Sequence, residues 1–113
     1  MSTTGYADAS DFARIPALKQ LAPREIDAFF QFDHVAFRAD GAIAPKIREL
    51  IAVAVALTTQ CEYCIDVHTS RAIGAGASRE ELAEAAVVAA AVRAGGALAH
   101  ALLALKLADR AAD

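Results

Sequence analysis

The sequence predicts an all-α protein with five to six helices in a single domain that covers residues 1–113, with a core at roughly 22–110. Three observations lead to this prediction. Apolar residues recur at helical spacing along almost the whole chain, and no segment alternates apolar and polar residues over more than a few positions. The length of 113 residues is that of one domain.

The composition predicts a protein that associates with copies of itself. Hydrophobic residues make up 57% of the chain, and the mean hydropathy is +0.36. A chain this short cannot bury so much apolar surface alone, so a homo-oligomer is expected. The net charge of −3 and the scattered basic residues argue against nucleic-acid binding.

The pattern of charged and apolar segments predicts a cytoplasmic location. Residues 1–12 lack the basic and apolar regions of a signal peptide. The apolar run at 50–61 is shorter than the ~20 residues that cross a bilayer. The longer alanine-rich stretch at 82–108 contains charged residues and the Gly95–Gly96 pair, which predicts two buried helices rather than a membrane span.

Three helices are predicted before the cysteines. Residues 10–20 predict a short helix that Pro16 ends or kinks. Pro23 suits the first position of a second helix, which Gly41 ends. A third helix is predicted over residues 44–60. Its middle is apolar on all sides, so we expect it to be central and buried.

The last part of the chain predicts two further helices. Ser78 and Glu81 form a Ser-x-x-Glu capping box, which opens a helix over residues 79–93. The Gly95–Gly96 pair then interrupts the pattern. A final helix is predicted over residues 96–110.

Both cysteines lie in the stretch TTQCEYCIDVH, which predicts a fourth helix over about 60–74. Thr59 and Glu62 form a Thr-x-x-Glu capping box at its start, so Cys61 and Cys64 fall in or just after the first turn. The positive end of the helix dipole favours anions there, and Cys-x-x-Cys pairs can lower thiol pKa values. A stabilised thiolate is therefore expected at Cys64.

The spacing around the pair predicts a chemical site. Cys61 and Cys64 are three residues apart on one helix face, which allows a disulfide between them. His68 follows Cys64 by four residues on the same face, so it can exchange a proton with that thiol directly or through a water. Glu49 lies in the apolar third helix, where an ionisable group is costly without a partner. If the third and fourth helices fold back on each other, Glu49 meets Cys61 and His68 and can take part in proton transfer.

From these residues alone, other readings stay open. The cysteines could be buried core residues, or they could bind zinc together with His68. Three residues could supply the fourth ligand of such a site: His34, His100 and Glu49. Glu49 could instead be a surface residue that pairs with Lys46 or Arg48.

With these residues in place, the chain resembles the alkylhydroperoxidase AhpD-like branch of the carboxymuconolactone decarboxylase family. The matching stretches are RELIAVAVALTTQCEYCIDVHTSRAIGAGAS and EELAEAAVVAAAVRAGGALAHALLAL. The resemblance is specific because it combines a glutamate twelve residues before the first cysteine, the Cys-x-x-Cys pair and a histidine four residues after the second.

The resemblance implies a helical redox fold whose subunits form trimers or hexamers. It implies a thiol-dependent peroxidase or disulfide reductase in which Cys64 attacks a hydroperoxide and Cys61 closes the disulfide. It also implies that Glu49 and His68 form the proton relay. Tyr63 replaces a second histidine of the family, and it can line a pocket or donate a hydrogen bond but cannot shuttle protons near neutral pH.

The expected partners follow from this reading. They are a hydroperoxide substrate, a dithiol or protein reductant and further copies of the chain, without nucleic acid or membrane. No cofactor or metal is expected, and no Gly-x-Gly-x-x-Gly or Walker pattern occurs in the sequence. Two alternatives remain: a carboxymuconolactone decarboxylase-like lyase that does not depend on the cysteines, and a non-enzymatic redox or metal sensor.

Overall fold

A computed structural model describes residues 6–112, in which every regular element is a helix. A short 3-10 helix, Ala9–Arg14, precedes five α-helices. These are α1 (Ile15–Leu21), α2 (Pro23–Ala36), α3 (Pro45–Thr59), α4 (Glu62–Gly74) and α5 (Arg79–Ala112). The predicted all-α class is therefore confirmed.

The core of the chain lies where α3 packs against both α4 and α5. Its buried apolar residues are Val53 and Ala56 of α3, Ala72 of α4, Ala77 of the following loop and Ala89 of α5. Alanine lets helices approach closely, but each one removes little apolar surface from water. The core that a single chain can form is therefore small.

Arg48 of α3 holds the end of α2 in place. Its guanidinium donates from Nη1 to the carbonyl of Ala36 at 2.6 Å and from Nε to the carbonyl of Ile43 at 2.8 Å. The first carbonyl belongs to the last turn of α2, which lacks partners within the helix. Gly41 lies against this guanidinium, and a Cβ there would collide with Arg48. The helix thus ends at Ala36 rather than at Gly41, whose role is to leave room for the arginine.

The N-terminal segment differs from its prediction at Pro16. This proline lies in the first turn of α1, which directly follows the 3-10 helix. It neither ends nor kinks a helix over 10–20, because a proline in the first turn withholds only an N–H that the helix does not need. Asp8 caps the 3-10 helix by accepting the backbone N–H of Ser10 at 2.8 Å.

α5 is a single helix of 34 residues. The prediction of two helices, at 79–93 and 96–110, is wrong because Gly95–Gly96 does not break the helix. A glycine inside a helix costs only about 1 kcal/mol, and open space lies beside both glycines. The Ser78–Glu81 capping box is present, with N–H-to-side-chain distances of 2.9 and 3.0 Å.

Most of α5 is exposed in the single chain. Its exposed large apolar residues are Val87, Val88, Val92, Leu98, Leu102, Leu103, Leu105 and Leu107. By length and composition, α5 is the one helix among residues 6–112 that could cross a membrane, and only 6% of its most apolar window is buried. The prediction that 82–108 is buried is therefore wrong for the isolated chain.

The chain is elongated and leaves apolar surface uncovered. Its radius of gyration is 18.7 Å, compared with roughly 13 Å for a compact domain of this length. Its accessible surface is 8518 Å², compared with roughly 5,900 Å² for a folded monomer of this mass. α3 is also not buried on all sides as predicted, since Ile51 and Val55 are about half exposed. Two of the longest helices thus present apolar faces to solvent.

Candidate functional site

The site begins at the tight connection between α3 and α4. Thr59 is the last residue of α3, and Gln60 adopts a left-handed conformation with φ of 57°. α4 then starts at Glu62, with Cys61 as its N-cap. The sulfur of Cys61 accepts the backbone N–H of Cys64 at 3.3 Å. The prediction of Thr59 as the N-cap is wrong, because a cysteine sulfur fills that role two residues later.

Glu49 and His68 form the polar centre of the site. Glu49 Oε2 lies 2.7 Å from His68 Nδ1, and the side chains are 10% and 14% exposed. The two helices thus fold back on each other in the way that the sequence argument required. Glu49 is not a surface partner of Lys46 or Arg48, since Lys46 binds Glu81 at 3.0 Å and Arg48 binds backbone carbonyls.

The imidazole of His68 is fixed on two sides. Its Nδ1–H donates to the Glu49 carboxylate, which leaves Nε2 as the basic nitrogen of the neutral ring. Phe37, just after α2, stacks on the ring with centroids 4.9 Å apart and planes 16° apart. This contact could not be predicted, because nothing in the local sequence pattern shows that the end of α2 reaches His68.

Cys64 and His68 line one cavity of about 280 Å³. Its remaining lining residues are Phe37, Ala52, Val55, Ala56 and Thr59. The thiol and the imidazole therefore face the same small and mostly apolar space. Both cysteines are free thiols, so this is the geometry of the reduced site.

The thiol of Cys64 is harder to ionise than the sequence suggested. Its hydrogen bond with Cys61 raises the pKa of Cys64 to about 11, with contributions from burial and from the negative charges of Cys61 and Asp33. The expectation of a stabilised thiolate at Cys64 is therefore wrong for the reduced pair. Cys64 needs a base to lose its proton near neutral pH, and His68 lines the same cavity.

Tyr63 serves a different part of the molecule. Its hydroxyl donates to Asp11 Oδ2 at 2.7 Å, and its ring lies edge-on to Phe12 with centroids 5.7 Å apart. This hydrogen bond raises the pKa of Tyr63 and lowers that of Asp11. The tyrosine lines a separate groove of about 620 Å³ along the 3-10 helix and α1. It therefore connects the N-terminal segment to α4, whereas Cys64 and His68 share another cavity.

The described part of the chain contains no set of ligands for the predicted alternative of a zinc site. Within residues 6–112, no group of three or more His, Cys, Asp or Glu side chains is placed to hold a metal ion. His34 is exposed on α2. His100 is exposed on α5, where its Nδ1 lies 3.1 Å from the carbonyl of Gly96.

The sequence profile of the carboxymuconolactone decarboxylase family matches residues 23–107, which include all of α2, α3 and α4. The chain belongs to this family. The match includes both cysteines, Glu49 and His68, so the resemblance inferred from the sequence is confirmed. Carboxymuconolactone decarboxylase family members thus provide the comparison for the fold.

Two relatives and one solved structure are similar to this chain. An uncharacterised protein of the cox locus of Paracoccus denitrificans is 49% identical over 83 residues, 74% of each chain. An uncharacterised protein of Cupriavidus necator is 43% identical over 68 residues, 60% of this chain and 59% of that one. The apo crystal structure of a carboxymuconolactone decarboxylase family protein from Legionella pneumophila matches with a TM-score of 0.67 and 32% identity, covering 84% of both chains.

Proposed function

We propose that this chain is a thiol-dependent peroxidase and disulfide reductase that reduces hydroperoxides through Cys61 and Cys64. One observation carries the proposal: the imidazole of His68, held by Glu49 at 2.7 Å, shares a cavity with the thiol of Cys64. A base that is oriented by a carboxylate and placed beside a thiol is the arrangement of an activated nucleophile.

In the first step, His68 Nε2 takes the proton of Cys64 and the sulfur attacks the terminal oxygen of the hydroperoxide. The O–O bond breaks, the sulfur keeps the hydroxyl group as a sulfenic acid, and the alkoxide leaves. The proton on His68 then passes to the alkoxide, which gives the alcohol. The Glu49 carboxylate keeps Nδ1–H in place and stabilises the transient imidazolium.

In the second step, the sulfur of Cys61 attacks the sulfenic sulfur of Cys64. Hydroxide leaves and takes the proton of the Cys61 thiol, so that water and the Cys61–Cys64 disulfide form. The two side chains are already neighbours, because the sulfur of Cys61 lies 3.3 Å from the backbone nitrogen of Cys64. An external dithiol or protein reductant then restores both thiols by two exchange reactions and becomes a disulfide itself.

The cavity favours small organic hydroperoxides as substrates. Its volume is about 280 Å³, and alanine, valine and phenylalanine form most of its lining. An apolar lining favours binding of an alkyl group, while the thiol and the imidazole provide the polar contacts for the peroxide.

We further propose that the subunits form a cytoplasmic homo-oligomer, a trimer or hexamer as the resemblance implies. The exposed leucines of α5 and the large accessible surface support association. Arg93, in the middle of α5, donates to the backbone carbonyl of Thr58. This contact attaches the helix to α3, which favours coverage of its apolar face by other subunits over insertion into a membrane.

Intact mass under non-reducing conditions tests the redox proposal. One equivalent of cumene hydroperoxide is expected to remove two hydrogens per subunit in the native chain and none in Cys61→Ser or Cys64→Ser. In Cys61→Ser, dimedone is expected to trap a sulfenic acid at Cys64. An unchanged native mass would contradict the function, and a trapped sulfenic acid at Cys61 in the Cys64→Ser variant would reverse the roles of the two cysteines.

A lyase is the second candidate, because the Glu49–His68 pair could act as a general base without any thiol. The family profile also carries the name of a decarboxylase. The thiol in the same cavity favours the redox reaction. Undiminished turnover of carboxymuconolactone by Cys64→Ser would favour the lyase instead.

A further inference from the structure

The peptide bond between Ala36 and Phe37 is held at both of its polar groups. Its N–H, on Phe37, donates to the carbonyl of Asp33 at 3.2 Å. Its carbonyl, on Ala36, accepts from Nη1 of Arg48 at 2.6 Å. Because a peptide bond is planar, hydrogen bonds on its two sides fix its orientation. The position of Phe37 is therefore set by the last turn of α2 on one side and by Arg48 of α3 on the other.

The ring of Phe37 meets the imidazole of His68 face to face, with centroids 4.9 Å apart and planes 16° apart. The hydrogen bond from Nδ1–H to Glu49, at 2.7 Å, holds only one atom of the imidazole. A ring held at one atom can still tilt about that contact. An aromatic ring stacked on its face opposes the tilt, because tilting would separate the two faces. Together the two contacts define the plane of the imidazole and the direction of its Nε2.

Consecutive residues of α3 supply both restraints. Glu49 binds His68 directly, whereas Arg48 acts through the backbone of Ala36 and the ring of Phe37. Neighbouring residues of an α-helix point about 100° apart. One side chain can therefore face the end of α2 while the next faces α4.

Two cavities meet at the ring of Phe37. The cavity of about 280 Å³ contains the Cys64 thiol and the His68 imidazole in its lining, and a neighbouring cavity of about 210 Å³ is lined by Arg48. Phe37 and Ala52 line both. Arg48 is absent from the lining of the thiol cavity, so it acts on the imidazole from outside that cavity.

We propose that Arg48 and Phe37 are positioning residues that keep the imidazole of His68 in its plane. Arg48 fixes the peptide bond before Phe37, and the Phe37 ring then holds the imidazole where Nδ1–H bonds to Glu49. Nε2 is thereby kept toward the cavity that contains the Cys64 thiol. The role in turnover rests on the proposed peroxidase function, but the effect on the imidazole can be measured without any peroxide.

Exchange of the His68 Nδ1–H proton with water tests this proposal. The chain is labelled with ¹⁵N at its three histidines, and the NMR signal missing in His68→Asn identifies this proton. Tilting of the ring opens the bond to Glu49 and exposes the proton to water. Phe37→Leu removes the stack and keeps an apolar side chain, so we expect exchange to become about fivefold faster, the factor that a typical aromatic pair represents.

Arg48→Ala frees the carbonyl of Ala36 and leaves the ring of Phe37 in the chain. Since the N–H of Phe37 keeps its bond to Asp33, we expect a smaller acceleration of about threefold, which corresponds to part of one hydrogen bond. Phe37→Tyr keeps an aromatic ring and is expected to retain the slow exchange of the native chain.

Two variants of α2 act as matched controls. Phe32→Leu removes an aromatic ring that is 71% exposed, and Arg24→Ala removes an exposed guanidinium. Both are expected to leave the exchange rate unchanged. Circular dichroism checks that each variant folds, and Phe37→Met, with the same expected acceleration as Phe37→Leu, is the second variant without the ring.

Steady-state consumption of cumene hydroperoxide separates positioning of the base from binding of the substrate. Because Arg48 does not line the thiol cavity, we expect Arg48→Ala to lower kcat about threefold through misplacement of the imidazole. KM should stay within about twofold of the native value, since the cavity lining is unchanged.

Unchanged exchange in both Phe37→Leu and Phe37→Met, or in Arg48→Ala, would overturn the proposal. An equal acceleration in Phe32→Leu would also overturn it, because it would show a general loosening of the chain. A raised KM with native kcat in Arg48→Ala would do the same. If hydroperoxide leaves the native mass unchanged, the peroxidase function fails, but the exchange rates still decide whether Arg48 and Phe37 position His68.

Discussion

The α3–α4 pair buries polar groups, whereas the C-terminal half of α5 exposes apolar ones. The α3–α4 pair buries a carboxylate and an imidazole, with Glu49 only 10% exposed. The C-terminal half of α5 instead leaves Leu98 and Leu102 exposed by 74% and 70%. Buried ionisable groups are costly without partners, and exposed leucines are costly in water.

This difference separates two tasks within 113 residues. The polar centre is completed inside one chain by a single turn between two adjacent helices. The apolar surface of α5 is not covered inside one chain, and in the proposed homo-oligomer other copies would cover it. We therefore expect that substitutions can disturb the Glu49–His68 site without changing subunit association, and the reverse.

The largest effect is expected from Glu49→Gln. The amide cannot stabilise the imidazolium of His68, so we expect peroxide turnover to fall by about 10²–10³-fold, within the range of general acid–base effects. Helical content and the number of associated subunits should stay unchanged. The measurement is steady-state consumption of cumene hydroperoxide.

Glu84→Gln is the matched control, because Glu84 is exposed on α5. It should leave turnover unchanged. Native turnover in Glu49→Gln would remove Glu49 from the proposed relay. Loss of subunit association in that variant would contradict the separation between the two regions.

The reverse experiment replaces Leu102 and Leu105 with arginine. Each exposed leucine that becomes covered contributes about 1.5–3 kcal/mol, and 1.4 kcal/mol corresponds to tenfold in affinity. We therefore expect subunit dissociation constants to rise at least about tenfold, as measured by multi-angle light scattering across a dilution series. Asp109→Arg adds arginine at a polar position of the same helix and should leave association intact. A native chain that is already monomeric would contradict the prediction.

Arg48→Ala should affect stability more moderately. It removes two hydrogen bonds from a charged donor at an exposed position, so we expect a loss of about 1–2 kcal/mol in the free energy of unfolding by urea. Arg38→Ala, which removes an exposed ion pair with Asp40, should cost less than about 0.5 kcal/mol. Equal losses in the two variants would show that Arg48 does not hold α2.

The smallest effect concerns the order in which the thiols react. Because the pKa of Cys64 is raised to about 11, its thiolate fraction is small at pH 7 and should rise about tenfold per pH unit until that value. We expect iodoacetamide to modify Cys61 several-fold faster than Cys64 at pH 7. Tandem mass spectrometry of singly modified protein measures the ratio. Faster modification of Cys64 would contradict this prediction and support the stabilised Cys64 thiolate that the sequence predicts.

The contact between Glu49 and His68 could be predicted because its signal is local. Glu49 is an ionisable residue in an apolar helix, and His68 follows Cys64 by one helical turn. Only one assumption was needed, that the two helices fold back on each other. The short distance between Cys61 and Glu49 in the chain leaves few other arrangements.

The properties of the thiols could not be predicted because they depend on where a helix begins. A left-handed Gln60 moves the start of α4, so Cys61 rather than Thr59 caps it. The cap N–H then bonds to the sulfur of Cys61 and not to that of Cys64. The hydrogen bond between the two cysteines is the first cause that raises the pKa of Cys64, followed by burial, and the sequence spacing alone does not show either.

Contacts between distant segments account for the other differences. Phe37, just after α2, reaches the site by stacking on His68, and no periodicity in the sequence gives the position of α2 against α4. The predicted helix break at Gly95–Gly96 rested on local helix propensity alone. The helix continues through it because the cost of two glycines is small compared with the loss of the intervening backbone hydrogen bonds.

The neighbouring residues Arg48 and Glu49 limit how this chain can change in length. Arg48 binds the end of α2, while Glu49 binds His68 of α4. A residue inserted or deleted in α3 after Glu49 would turn the rest of the helix by about 100°. Arg48 and Glu49 would then point in a different direction relative to α4. We therefore expect the length of α3 to tolerate no such change. Insertions should be accepted instead in the loop between α4 and α5, which carries neither attachment.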